Sequence, residues 1–188
     1  MRVIWLVFGA LPTAILAGGG RYQPPAAPGA TAAPPALPIL AVIERRPARA
    51  LMPPTPRADS LVQFALAQLG YPYHYAGISP STGFDCSGFI YYVFGHFGIA
   101  TPHATTLLID AGRPVPRAQA RPGDIVVFTG TAAGSTTPGH AGIVISALGE
   151  TPLRFVHSSS ARRESGVKIS QVENSGYEQR FMQVRRVF

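Results

Sequence analysis

Phe84-Asp85-Cys86-Ser87-Gly88 sets the chain's single cysteine at the mouth of a helix. Asp85 belongs to the residue types that cap helix N-termini, where a carboxylate accepts from orphan backbone N–H groups. Apolar residues continue through Phe97, and Gly98 supplies the stop. The spacing predicts a helix over 86–97. A thiol at that end meets free N–H groups and the positive end of the helix dipole. Both stabilise a thiolate, so its pKa is expected to fall from about 8.5 into the ~3.5–7.5 range of activated cysteines. The same N–H groups can receive the oxyanion of a tetrahedral intermediate, and Gly88 is read as room for a substrate. A buried thiol that packs as a small apolar residue is the other reading. These five residues alone leave both open.

Upstream, Leu61, Val62, Ala65, Leu66 and Leu69 recur at helical spacing. Asp59 or Ser60 is the candidate cap, and Gly70 suits the far end. A loop is expected over 71–84, broken by Pro72, Gly77, Pro80 and Gly83. Downstream come short β-type runs: Ile125 to Phe128, Gly142 to Ile145, Leu153 to His157, Val167 to Ile169 and Phe181 to Val187. Pro122-Gly123, Pro138-Gly139, Gly149 and Gly166 separate them. Helices first and strands later indicate one α+β domain over 58–188, with an antiparallel sheet.

The N-terminal part reads differently. Met1-Arg2 gives a positive charge, and Val3 to Ala17 is an apolar run of signal-peptide length, short for a membrane span and broken by Pro12. Residues 1–17 are expected to be a signal peptide, with an uncleaved anchor as the alternative. Leu16-Ala17-Gly18 is similar to a lipoprotein signal, but Gly19 stands where the lipidated cysteine would be. Residues 18–57 are rich in Pro and Ala and are read as a disordered tether without helices or ladders. The expected destination is export to the periplasm, cell envelope or medium, with no stable membrane span once the signal is removed.

Of 188 residues 46% are apolar and 13% charged, enough for one core, and the net charge is +7. No Lys/Arg run exceeds two residues and no basic helix stripe occurs, so nucleic acid is not an expected partner. One cysteine excludes an internal disulfide and Cys-rich zinc sites.

A thiol nucleophile needs a base that also protonates the leaving amine, and histidine suits neutral pH. His96 lies ten residues beyond Cys86 on the same helix, about 15 Å along the axis and out of reach. His103 sits in a loop, and His74 is a minor candidate. His140 opens Ala141-Gly142-Ile143-Val144-Ile145, and His157 ends Phe155-Val156-His157. If these strands are antiparallel neighbours, His157 can hydrogen-bond the His140 ring and fix its tautomer, as the third group of a triad does. Each is equally readable as a strand-end histidine with satisfied nitrogens. A metal site from His140, His157 and Asp124 lacks H-E-x-x-H or H-x-H spacing and is not favoured.

Five segments then combine. Gly70-Tyr71-Pro72-Tyr73, Phe84 to Phe89, Arg121-Pro122-Gly123-Asp124 to Phe128, Gly139-His140-Ala141-Gly142-Ile143-Val144 and Phe155-Val156-His157-Ser158-Ser159 resemble, in order, the NlpC family of papain-like cell-wall cysteine peptidases. The resemblance spans roughly 58–188. It implies a papain-like fold in which a nucleophile-bearing helix packs on an antiparallel sheet. It implies Cys86 as nucleophile, His140 as base and acid, His157 as the orienting group and Tyr73 on the oxyanion side. The implied reaction is hydrolysis of an amide in peptidoglycan stem peptides, at the D-glutamyl–diamino acid bond, with no metal or organic cofactor. Asp85 is read as a cap and Ser87 as a backbone contributor. Where the family commonly has two glycines after the Pro-Tyr segment, this chain has Ala76-Gly77, and the loop from Thr129 to Gly139 is longer. A cysteine amidase or acyltransferase on the same fold and a non-catalytic envelope-binding protein are the competing readings.

Overall fold

The computed structural model describes residues 56–188; the expected signal peptide at 1–17 and all but the end of the tether at 18–57 lie outside them. Helix α1 (Pro56–Leu66) starts three residues before Asp59, with proline in the first turn, where its missing N–H has no partner to lose. Asp59 therefore lies within the first turn instead of capping it. Leu61 and Ala65 are fully buried. The chain turns over at Gly70 (φ +86°), whose N–H binds the Val167 carbonyl at 2.9 Å.

The loop over 71–84 contains a two-residue ladder, β1 (Ile78–Ser79) on β2 (Gly83–Phe84). Helix α2 (Cys86–His96) follows as expected: Asp85 has extended backbone and its Oδ1 accepts from the Gly88 N–H at 2.6 Å. Phe89, Ile90, Val93 and Phe94 face the sheet with no exposure, each burial contributing about 1.5–3 kcal/mol. Gly98 (φ +67°) turns the chain out of the helix. Three elements were not expected: α3 (Thr105–Leu108), the edge strand β3 (Arg113–Val115) and a 3₁₀ turn at Arg117–Gln119.

The remaining strands are β4 (Ile125–Thr129), β5 (Pro138–Val144), β6 (Arg154–Ser159), β7 (Gly166–Gln171) and β8 (Phe181–Arg186). They join β3 in a six-stranded antiparallel sheet of order β3-β8-β4-β5-β6-β7. Both faces are covered. Ile125, Val127, Ala141, Ile143 and Val156 pack under α1 and α2. Val126, Phe128, Val144, Phe155 and Val184 form a second cluster with Val115, Leu153 and Val172. This is the α+β, helix-on-antiparallel-sheet architecture expected for 58–188. No helix among the described residues is long and apolar enough to cross a membrane.

Asp124 is held by Arg186, Nε to Oδ1 and Nη2 to Oδ2, both at 2.7 Å, and accepts from the Arg121 N–H at 3.0 Å. A buried bidentate pair with its lone pairs satisfied fastens the β4 start to β8.

The loop before α2 is seated by close backbone contact. The Gly77 carbonyl accepts from the Asp85 N–H at 3.0 Å. A Cβ on Gly88 would overlap that same carbonyl. The space above Gly88 is thus filled by the protein's own loop, correcting its reading as room for substrate. Ala76 sits at φ +57°, a left-handed conformation that costs a non-glycine residue roughly 1–2 kcal/mol. Ala76→Gly removes that strain but gives the unfolded chain more freedom, and the two nearly cancel. Gly77→Ala instead drives a Cβ into the Gly83 carbonyl. Urea denaturation is expected to move by less than about 1 kcal/mol for the first and to fall by more than about 2 kcal/mol for the second. Equal effects would show that the loop is not tightly seated.

Candidate active site

Cys86 is the first residue of α2, and three groups reach its sulfur. The Thr105 hydroxyl lies 3.3 Å from Sγ, and the backbone N–H groups of Ala141 and Ser87 also point at it. The Ala141 donor is free for a reason visible in the sheet. Val144 N–H binds the Asp124 carbonyl and Ile145 N–H binds the Arg154 carbonyl. Even-numbered residues of β5 therefore bond toward β4 and odd-numbered ones toward β6. The β5–β6 ladder, however, runs only through Ile143–Val156 and Val144–Phe155. Beyond it the strands part, Ala141 has no β6 partner, and its N–H turns to the thiol. Cys86 thus meets β5 one residue from His140.

Burial pushes the Cys86 thiol above its ordinary pKa. The Thr105 hydroxyl opposes this, the Asp85 carboxylate adds to it, and the Ala141 and Ser87 N–H groups oppose it again without reversing it. The expected lowering by the helix start is corrected: desolvation outweighs the donors around the sulfur.

His140 and His157 meet across the gap, Nε2 to Nδ1 at 2.8 Å, and the far His157 nitrogen, Nε2, lies 2.9 Å from Ser170 Oγ. Their rings are perpendicular, with centroids 4.8 Å apart. Gly142 permits the approach, since a Cβ there would press on Phe155 and on His157 Cβ. His140 Nε2 is engaged by His157, so Nδ1 is the ring nitrogen that this bond does not use. Burial lowers the His140 pKa to about 3, helped by the positive charges of Arg180 and Lys168. Burial lowers His157 to about 2, with His140, Lys168 and Arg180 adding. His157 is completely enclosed while His140 keeps partial exposure, so the resistance to protonation is firmer for His157. Burial thus disfavours the charged form of all three groups.

Tyr73 forms an isolated bridge to Phe84, next to the Asp85–Cys86 turn. Its pKa is raised by burial first and then by Cys86 and Asp85. The other histidines have different partners. His96 stacks on Phe64 at 3.9 Å, and His103 Nε2 lies 3.4 Å from Asp85 Oδ1. Asp124, a possible metal ligand with the histidine pair, is committed to Arg186. His74 is exposed, with its backbone bonded to Phe84.

Sequence reading missed Thr105, Ser170 and Tyr177. Tyr177 stacks on His140 at 5.7 Å, stands edge-on to His157 at 5.5 Å, and feels the charge of Cys86. Ser170 could be found only from register: it pairs with Phe155 and so lies on the His157 face of the sheet.

A papain-like α+β fold carrying a cysteine at a helix start beside a strand-borne histidine pair defines the structural class. The NlpC/P60 family model matches residues 70–186, and the chain belongs to that family. A probable endopeptidase of Mycobacterium tuberculosis is 42% identical over 86 residues, 46% of this chain and 20% of the relative. The gamma-DL-glutamyl hydrolase of Bacillus subtilis is 35% identical over 127 residues, 67% of this chain and 28% of that protein. The murein DD-endopeptidase/murein LD-carboxypeptidase of Escherichia coli K12 is 38% identical over 112 residues, 59% and 53% of the two chains. An NlpC/P60 family protein from Bacillus cereus superposes with TM-score 0.61 at 30% identity, covering 71% of this chain and 41% of the other. The match spans about a fifth of the length of the mycobacterial relatives.

The neutral histidines make stability pH-dependent. In the unfolded chain a histidine titrates near 6.5. The folded His157 value is about 2, so the fold refuses a proton that the unfolded chain accepts. That contribution is complete above about pH 6.5 and is lost as pH falls. Its slope is about 1.4 kcal/mol per pH unit below 6. Urea midpoints of wild type are expected to drop between pH 7 and 5, and those of His157→Gln to drop less. Parallel profiles would show that His157 is not held neutral.

Proposed function

We propose that the chain is an exported cysteine endopeptidase that hydrolyses an amide in peptidoglycan stem peptides, at the D-glutamyl–diamino acid bond. Residues 58–188 are the catalytic domain, 1–17 the export signal and 18–57 a tether. The observation that carries the reading is the His140–His157 bond at 2.8 Å beside the strand gap where Ala141 N–H meets the Cys86 sulfur. It couples His140, whose next residue in the strand donates to the sulfur, to an orienting group.

In the reaction, Cys86 Sγ bonds to the amide carbonyl carbon as its proton passes to His140 Nδ1. The carbonyl electrons move onto oxygen, which the Cys86 N–H and the Tyr73 hydroxyl receive. His140 then gives the proton to the amide nitrogen, the C–N bond breaks, and the amine leaves. Water attacks the thioester, its proton goes to His140 and back to sulfur, and the acid is released. Because burial disfavours charge on both thiol and imidazole, proton transfer accompanies attack instead of preceding it. His157 accepts from His140 Nε2–H throughout and supports the imidazolium as it forms.

The relatives support the substrate class, and their names divide over the bond: one is a gamma-DL-glutamyl hydrolase, another a murein DD-endopeptidase. Purified peptidoglycan digested with wild type and Cys86→Ala, with products assigned by mass, tests both questions. Wild type is expected to release fragments with a newly free diamino acid amine, and the variant to lose at least about 10³-fold in rate. Unchanged turnover by Cys86→Ala would remove the nucleophile assignment. Fragments cut between cross-linked D-residues would move the bond.

A further inference from the structure

We propose that Ser170 is the positioning residue that fixes the protonation register of both histidines, with the Tyr177 hydroxyl holding Ser170 in its accepting orientation; this rests on Cys86 and His140 as nucleophile and base. A neutral imidazole has one N–H and one lone pair. His140 Nε2 and His157 Nδ1 lie 2.8 Å apart, so one must donate and the other accept. Two registers satisfy that contact. In the first, His140 Nε2–H donates to His157 Nδ1, and His157 Nε2–H donates to Ser170 Oγ at 2.9 Å. His140 Nδ1 is then a lone pair, able to take the thiol proton. When it does, the Nε2–H bond to His157 persists and nothing rearranges. In the second register every proton is reversed: Ser170 donates, and His140 presents Nδ1–H toward the thiol. A ring in that state cannot act as the base.

Desolvation does not choose between these registers, because both are neutral. The choice falls to the end of the chain of bonds. A serine hydroxyl donates or accepts with equal ease, so its own proton must be drawn elsewhere. The Ser170 and Ser159 hydroxyls both lower the Tyr177 pKa, as groups that donate toward the phenol oxygen do. Ser170 O–H directed to the Tyr177 oxygen leaves a Ser170 lone pair for His157 Nε2–H. Tyr177 O–H then passes to Ser159 Oγ, which also accepts from the Ala161 N–H at 3.2 Å. All donors in this arrangement point away from Cys86. The Tyr177 ring adds a lid over the relay, lying against both imidazoles and keeping competing water from their bond.

The test uses the full chain with ¹⁵N-labelled histidine, since protonated and lone-pair ring nitrogens give well-separated resonances. Wild type is expected to show His157 protonated at Nε2 and His140 at Nε2. A His157 proton found on Nδ1 overturns the proposal, and no variant is needed to see it. Ser170→Ala is expected to mix the registers and to lower kcat on a soluble stem peptide by roughly tenfold to a hundredfold, as for other partners that orient an imidazole, with KM unchanged. Ser170→Thr should restore both the resonances and kcat, and Tyr177→Phe should mix the registers as Ser170→Ala does. Wild-type resonances and kcat in Ser170→Ala overturn the assignment. The register is read without turnover, so a failed nucleophile assignment, seen as an active Cys86→Ala, is a separate result.

Discussion

The parting of β5 from β6 after Ile143–Val156 is the constraint on which the site depends. A continued ladder would claim the Ala141 N–H. Instead the unpaired edge supplies a donor to Cys86, and the same gap receives the two facing imidazoles. The elements around it hold the gap open. Ser158 Oγ donates to the Phe84 carbonyl at 2.7 Å, which ties β6 to the residue that precedes the Asp85 cap. The Gly77 carbonyl lies against Gly88 and fixes the first turn of α2 from the other side. A helix cap, a loop carbonyl and a strand end thus share one location.

Enclosure has two electrostatic results. It penalises ionisation of the thiol and of both imidazoles, and so favours their neutral forms. It also strengthens the bonds that remain, because the groups face one another in a low-dielectric interior. The three donors around Cys86 are therefore arranged for a charge that the resting sulfur does not carry. They act when the proton leaves, which is the condition for stabilising a transition state more than a ground state.

Much of this organisation was legible in the sequence. Asp85 and Gly98 punctuate α2 because capping is local chemistry, carried by single residues. Short β-type runs between Pro and Gly turn signals marked β4 through β8, because turn chemistry too is carried by single residues; β4 is buried on both faces and β7 only at its start. His140 and His157 could be paired in advance only on the supposition that their strands are antiparallel neighbours, which they are. Other features depend on distant parts of the chain. Strand β3 has three residues, one of them Pro114, and is a strand because β8 lies beside it. Helix α3 has no side-chain cap, so no start signal precedes Thr105. Ser170 and Tyr177 become relay members through β6–β7 register and the path of the 172–180 segment, neither of which has a local signature. The thiol shift was misread because the helix start is visible in sequence and the depth of burial is not.

The charge around the relay acts on its base. Arg180 and Lys168 both lower His140, but they are not equally available. Lys168 is paired with Glu164 at 2.8 Å, while the Arg180 guanidinium bonds the Thr129 carbonyl and lies 5.2 Å from the Tyr177 ring centroid. Neither Arg180 partner cancels its charge. Its field reaches an enclosed imidazole with little screening and adds to the burial that already opposes protonation of His140.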